Sequence, residues 1–179
     1  MLQRITITDK ESQHFAKCWQ LYTDAFPLEE RRDIDYHLAT IDAAGYHFEA
    51  ILDDGEFIGI ICWWHFDGVR FIEHLATSPS VRDRGYGKTI LKEFIDQEQT
   101  PIILEVEHPT DELSQRRIGF YERIGFTLND YDYCHPPYHI EQDEFVSLML
   151  MSYPKAIGSS EFEKFKDECY ARVHFRRKQ

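Results

Sequence analysis

Apolar residues alternate at the start of the chain and then shift to a helical spacing. Ile5 and Ile7, two apart within Gln3–Thr8, predict an opening strand. Thr8 with Glu11 three residues on has the form of a capping box, each side chain satisfying the other's free N–H. Phe15, Cys18, Trp19, Tyr22 and Phe26 then recur at helical spacing until Pro27 stops them. The charged stretch 28–46 predicts a second helix flanked by loops. A meander follows: strands Phe48–Leu52, Phe57–Trp64 and Val69–Thr77, joined by turns at Asp54-Gly55 and Asp67-Gly68. Phe57–Trp64 is nearly all apolar, as expected of a strand covered on both faces.

Beyond Gly85 the period changes again. Ile90, Leu91, Phe94 and Ile95 mark a helix, and Pro101 precedes a buried strand, Ile102–Val106. Leu113, Arg117, Phe120, Tyr121 and Ile124 outline the next helix, closed by Gly125 as a left-handed cap. Phe126–Cys134 and Phe145–Met151 predict two final antiparallel strands across a loop holding Pro136-Pro137. Glu161–His174 is amphipathic, with Phe162, Phe165, Cys169 and Val173 on one face that must pack on the domain or meet a second subunit. This order predicts an α+β fold with a mixed sheet.

Composition narrows the function. At 179 residues, 42% hydrophobic and 15% aromatic, one globular domain is expected, not a disordered or fibrous chain. No apolar run approaches the ~20 residues of a membrane span, and the first residues lack an apolar signal core, so no membrane partner and a cytoplasmic location are expected. Cys18, Cys62, Cys134 and Cys169 are scattered, which predicts neither a disulfide framework nor a metal site. A net charge of −12 argues against a nucleic-acid partner and favours cationic small molecules or basic peptides. From Lys155 onward seven Lys/Arg face four Asp/Glu, a net of +3, so residues 1–154 carry −15. The expected organisation is a main domain over 1–154 and an amphipathic helix with a basic tail over 155–179.

The chemistry concentrates in Phe71-Ile72-Glu73-His74-Leu75-Ala76-Thr77-Ser78-Pro79-Ser80-Val81-Arg82-Asp83-Arg84-Gly85-Tyr86-Gly87-Lys88. A buried strand runs into a Gly-containing loop that opens a helix, and N–H groups at a helix start attract anions. Arg82, Arg84 and Lys88 add charge, so a phosphorylated ligand fits; solvated cations at an ordinary helix start are the plain alternative. About thirty residues later stands Ser114-Gln115-Arg116-Arg117-Ile118-Gly119-Phe120-Tyr121-Glu122-Arg123-Ile124-Gly125-Phe126.

Together the two segments resemble the GNAT superfamily of N-acetyltransferases. Arg82–Gly87 is similar to its pyrophosphate loop, and Phe120–Phe126 to its FYEKLGF signature. The resemblance implies a largely antiparallel mixed sheet of about seven strands, splayed between two parallel central strands and flanked by helices. It implies acetyl-CoA as co-substrate and no metal. Pantetheine would pair with backbone of Leu75, Ala76 and Thr77, and the pyrophosphate would sit on Arg82, Asp83, Arg84, Gly85, Tyr86, Gly87 and Lys88. Ser114 stands where the family often has a cofactor-binding Asn, and Arg117 where it often has a small residue.

An alkylamine has a pKa near ~10, so direct attack on a thioester requires a base. Glu73 and Glu105 lie on central strands, where a carboxylate is costly unless paired or functional, and His108 is a third candidate. Family members use a Glu at either matching position, and the sequence does not choose between them. Alternation along a strand predicts that His74 and Glu73 point to opposite faces, with His74 in packing. The resemblance assigns Tyr121 the role of acid toward the leaving thiolate. Trp63 and Trp64 also alternate, one toward the core and the other toward an acceptor cleft. Tyr131, Tyr133, His135, Tyr138 and His139 crowd the late hairpin beside Asp130, Asp132 and Glu141, an arrangement that suits a cationic amine or an ordinary exposed hairpin. The sequence thus predicts an N-acetyltransferase acting on a primary amine, monomeric or homodimeric. A catalytically silent CoA-binding module is the alternative.

Overall fold

The computed structural model describes residues 1–139 and 144–173. Its strands are β1 Gln3–Thr6, β2 Tyr46–Asp53, β3 Glu56–Phe66, β4 Val69–Thr77, β5 Ile102–Val106, β6 Thr127–His135 and β7 Val146–Tyr153. Its helices are α1 Phe15–Ala25, α2 Ile34–Ile41, α3 Tyr86–Asp96, α4 Glu112–Glu122 and α5 Ser159–Glu168. The sheet is mixed and mostly antiparallel, in the order β1-β2-β3-β4-β5-β7-β6, with the parallel pair β4 and β5 in the middle. The fold class is the one expected. The chain divides into two compact units, Met1–His65 with Phe71–Thr100, and Phe66–Arg70 with Pro101–Gln179.

In the first unit, β2 pairs antiparallel with β1 (Ile5↔Ala50) and with β3 (Ala50↔Ile60). Asp54 (φ +46°) and Gly55 (φ +83°) make the tight turn that the Asp-Gly pair predicts. Successive side chains alternate, so the two tryptophans part. Trp64 lies on the side of Tyr46, 4.8 Å between ring centres, whereas Trp63 stacks on His47 at 4.0 Å and meets Phe94 of α3 at 5.3 Å. On the Tyr46 side, Tyr22 of α1 and His37 of α2 pack on Phe48 at 6.4 and 4.6 Å.

Two local expectations change. Thr8 and Glu11 form no capping box: α1 begins only at Phe15, and its N-cap His14 makes no side-chain cap. The preceding turn is closed by other side chains. Thr8 N and Asp9 N donate to Ser12 Oγ, and Glu11 N donates to Asp9 Oδ1. Stretch 28–46 resolves into a 3₁₀ turn at Leu28–Glu30 and then α2, capped by Asp33, whose Oδ1 accepts from Tyr36 N at 2.7 Å.

In the second unit, β7 is flanked by β5 (Glu105↔Leu150) and by β6 (Asn129↔Leu150). Between Asn129 and Tyr133 the β6 register shifts, so that Tyr133 sits opposite Leu148. Two additional residues are accommodated there. The apolar face of α5 is covered within this unit. Phe162 stacks on Tyr131 at 4.2 Å, Phe165 lies 6.0 Å from Tyr133, and Cys169 and Val173 of the following π turn are buried. Burying each of these phenylalanines is worth about 1.5–3 kcal/mol. Polar bonds fix the approach to the helix: Ile157 N donates to Asn129 Oδ1, Asn129 Nδ2 to Ser152 Oγ, and Ser152 Oγ to Lys155 O. His174, the expected end of this helix, lies outside the described residues.

Candidate active site

The chain leaves β4 through a 3₁₀ turn, Pro79–Val81, pinned by buried Val81. It then surfaces from Arg82 to Gly85. Asp83 (φ +62°) and Gly85 (φ +80°) both adopt the left-handed conformation, uncommon for an aspartate and free of strain for a glycine. Gly85 is the N-cap of α3 and supplies no capping side chain, and the first turn holds no acid. The helix start therefore presents uncapped N–H groups with the positive end of its dipole. Arg82, Arg84 and Lys88 stand exposed around it. The Arg84 guanidinium lies 5.2 Å from the Tyr86 ring centre and 3.9 Å from Glu56, while Tyr86 Oη donates to Asp53 Oδ2 at 2.8 Å. These contacts tie the loop to the β2–β3 turn.

On β4, Ala76 is buried and Leu75 and Thr77 are half-buried. A Cβ added at Gly59 would sit 2.3 Å from the Ala76 carbonyl oxygen, so β3 must carry glycine where it passes this strand. Glu73 is half-buried as a residue although its side chain has no exposure, so what it exposes is main chain.

The Glu73 carboxylate sits inside a buried polar cluster. Arg32 Nη1 lies 2.7 Å from Oε1, with both side chains at 0% exposure, and Trp64 Nε1 donates to Oε2 at 2.8 Å. The Arg32 guanidinium lies over the rings of Tyr36 and Tyr46, and its backbone N–H donates to Tyr22 Oη. His74 is buried, as expected, with Nε2 2.8 Å from Glu30 O. Its Nδ1 is nonetheless only 4.0 Å from Glu73 Oε1, contrary to the opposite-face expectation, because the long Glu73 side chain bends to reach Arg32. Burial pushes the Tyr22 and Tyr46 phenols and the Cys62 thiol up, and holds His37 and His74 below the usual imidazole range.

In the second unit, Glu105 is half-buried, and Tyr133 Oη donates to its Oε1 at 2.5 Å. Tyr121 packs between Phe120 (5.3 Å) and Phe126 (5.7 Å), and burial pushes its phenol up. Ser114 is buried, and its polar groups serve the start of α4: its N–H donates to Asp111 Oδ1 and its Oγ to Asp111 O. His108 is exposed, with Nε2 2.9 Å from Ser147 Oγ, and Arg117 pairs with Glu107. The late-hairpin aromatics serve packing. Tyr131 and Tyr133 lie against α5, and His135 meets Tyr138 with both buried. Asp130 and Asp132 are exposed, and Glu141 lies outside the described residues.

The structure thus gathers Glu73, Leu75–Thr77 and the Arg82–Lys88 loop in one unit, and Glu105, Ser114 and Tyr121 in the other. Sequence pattern missed Arg32 and Tyr133. Arg32 lies in a charged run that reads as solvated, and Tyr133 among hairpin aromatics with nothing to single it out. Among the described residues no group of three or more His, Cys, Asp and Glu is placed to hold a metal, and no helix is long and apolar enough to cross a membrane.

The profile of the acetyltransferase (GNAT) family matches residues 13–126, and the chain belongs to that family, whose members use acetyl-CoA. It is similar to a GNAT-family acetyltransferase from Bacteroides thetaiotaomicron, at 35% identity over 97% of this chain and 99% of that one, with a TM-score of 0.90. The fold is shared with the ribosomal-protein-S18-alanine N-acetyltransferase of Escherichia coli (16% identity, 89% of this chain and 97% of that one, TM-score 0.61). It is shared too with Arabidopsis thaliana Naa50, solved with the bisubstrate analogue CoA-Ac-MVNAL (18%, 87% and 99%, TM-score 0.58). No curated protein matches the sequence.

Proposed function

We propose that the chain transfers the acetyl group of acetyl-CoA to a primary amine by direct attack. The observation that carries this reading is the exposed turn from Arg82 to Lys88, where two left-handed residues and an uncapped helix start meet three cations. When bound, acetyl-CoA supplies the activated acetyl thioester. Arg82, Arg84 and Lys88 would neutralise its diphosphate, and the N–H groups of Asp83, Gly85, Tyr86 and Gly87 would bond its oxygens, those of Arg84 and Lys88 being taken by Val81 O and Gly85 O. The main chain of Leu75 and Thr77 would pair with the amides of the pantetheine arm, and an N–H near Leu75 or Ala76 would stabilise the oxyanion.

Between the two carboxylates, reach favours Glu105 as base. Glu73 has no exposed side-chain surface and is already committed to Arg32 and Trp64, whereas Glu105 is half-buried, with Tyr133 Oη donating to it. A base must come within hydrogen-bond distance of the proton it removes. Tyr121, kept protonated by burial, would return a proton to the departing thiolate. Ser114, spent on the helix cap, fixes the start of α4. The acidity of residues 1–154 favours a cationic acceptor: a polyamine, an amino sugar or a peptide amine.

The test is thiol release from acetyl-CoA with spermidine, glucosamine and a short peptide bearing a free N-terminus. Release above the amine-free rate with any of them is expected. Binding of CoA with no release from any amine would favour the silent CoA-binding module.

A further inference from the structure

Tyr133 does more than fill space under α5. From its register position opposite Leu148, its side chain reaches along the sheet face to Glu105, which pairs with Leu150 on the other side of β7. The β6 register shift makes this reach possible: four residues of β6 span only two of β7, so Tyr133 sits opposite Leu148 rather than Val146, closer to the level of Leu150. The phenol ends 2.5 Å from Glu105 Oε1, and its ring is 1% exposed. Phe162 and Phe165 of α5 hold that ring at 6.4 and 6.0 Å.

We infer that Tyr133 is a positioning residue for the reaction: clamped by α5, it fixes the Glu105 carboxylate and keeps it ionised for proton removal. The inference rests on the reading of Glu105 as base, and it gives the C-terminal helix a function beyond packing. A donated hydrogen bond favours the charged form of a carboxylate. Burial and the neighbouring Glu105 both push the Tyr133 phenol up, so it stays a donor wherever Glu105 is ionised. Other titratable groups near this pair are Tyr138, which follows β6, and Cys169 and Tyr170 after α5. Just past the end of β5 stands Glu107, itself paired with Arg117.

The test compares the full-length wild type with Tyr133→Phe, which keeps the ring and removes only the hydroxyl, and with Glu105→Gln. Glutamate side chains carrying a ¹³C carboxyl label are titrated by NMR, and the Glu105 signal is the one missing in Glu105→Gln. Tyr133→Phe should raise the Glu105 midpoint by about one pH unit or more. The acid limb of turnover with the best amine of the panel should move up with it, at unchanged KM for acetyl-CoA. Thermal unfolding of the variant close to that of the wild type ties the shift to the lost hydroxyl. An unmoved Glu105 midpoint in a folded Tyr133→Phe overturns the inference. Wild-type turnover in Glu105→Gln would instead overturn Glu105 as base, a separate failure that the titration does not register.

Discussion

Gly85 shows how much one residue can decide. Its φ of +80° is open to glycine, and a left-handed residue with a Cβ costs about 1–2 kcal/mol. Gly85→Val should therefore lower stability modestly in urea and weaken CoA binding at least tenfold by calorimetry. Unchanged affinity would remove the loop from the cofactor site. Tyr121→Phe should lower turnover by about 10²-fold while leaving CoA affinity in place, the split expected of an acid that acts only in the chemical step. Arg32 makes a different point. Removing one member of a buried ion pair typically costs 3–5 kcal/mol because the other charge stays behind. Arg32→Met should destabilise the chain by about that much in urea unfolding, and adding Glu73→Gln should recover a large part of it. Loss in the double variant equal to the sum of the single losses would mean the two side chains are not coupled.

Among elements, those with a strong period were legible and those set by tertiary contact were not. β5 was predicted at its observed bounds because Pro101 and a run of apolar residues delimit it. The Asp-Gly turns, the helix from Gly85 and the Gly125 stop follow from local chemistry that needs no distant partner. The start of α1 was misread because Asp9 and Ser12 compete for the same N–H groups as Thr8 and Glu11. The candidate site divided in the same way. The loop and Tyr121 carry local motifs, but the partners of Glu73 and Glu105 come from residues 41 and 28 positions away, which no local pattern records. The α1 and α2 cluster also carries a pH dependence. His37 and His74 are held neutral in the fold by burial, with Arg32 beside them, so their folded pKa values lie below that of the unfolded chain. Their contribution is fully present above about pH 6.5 and is lost as pH falls through the window below it. The urea midpoint should decline between pH 7 and pH 5, and a flat midpoint would mean that the folded rings titrate as they do in the unfolded chain.

At the scale of the molecule, an acidic chain with net charge −12 carries a local patch of cations where α3 begins, which favours the approach of a diphosphate there. One compact unit holds the loop and residues 71–77 of β4; the other holds Glu105, Tyr133 and Tyr121. The account depends on where CoA lands. Titrating ¹⁵N-labelled protein with CoA and following the backbone amides tests that most directly. Saturating shifts centred on Asp83 through Lys88, with Leu75 and Thr77 moving in step, are the predicted result. CoA that binds while those amides stay still, or that fails to bind at all, would contradict it.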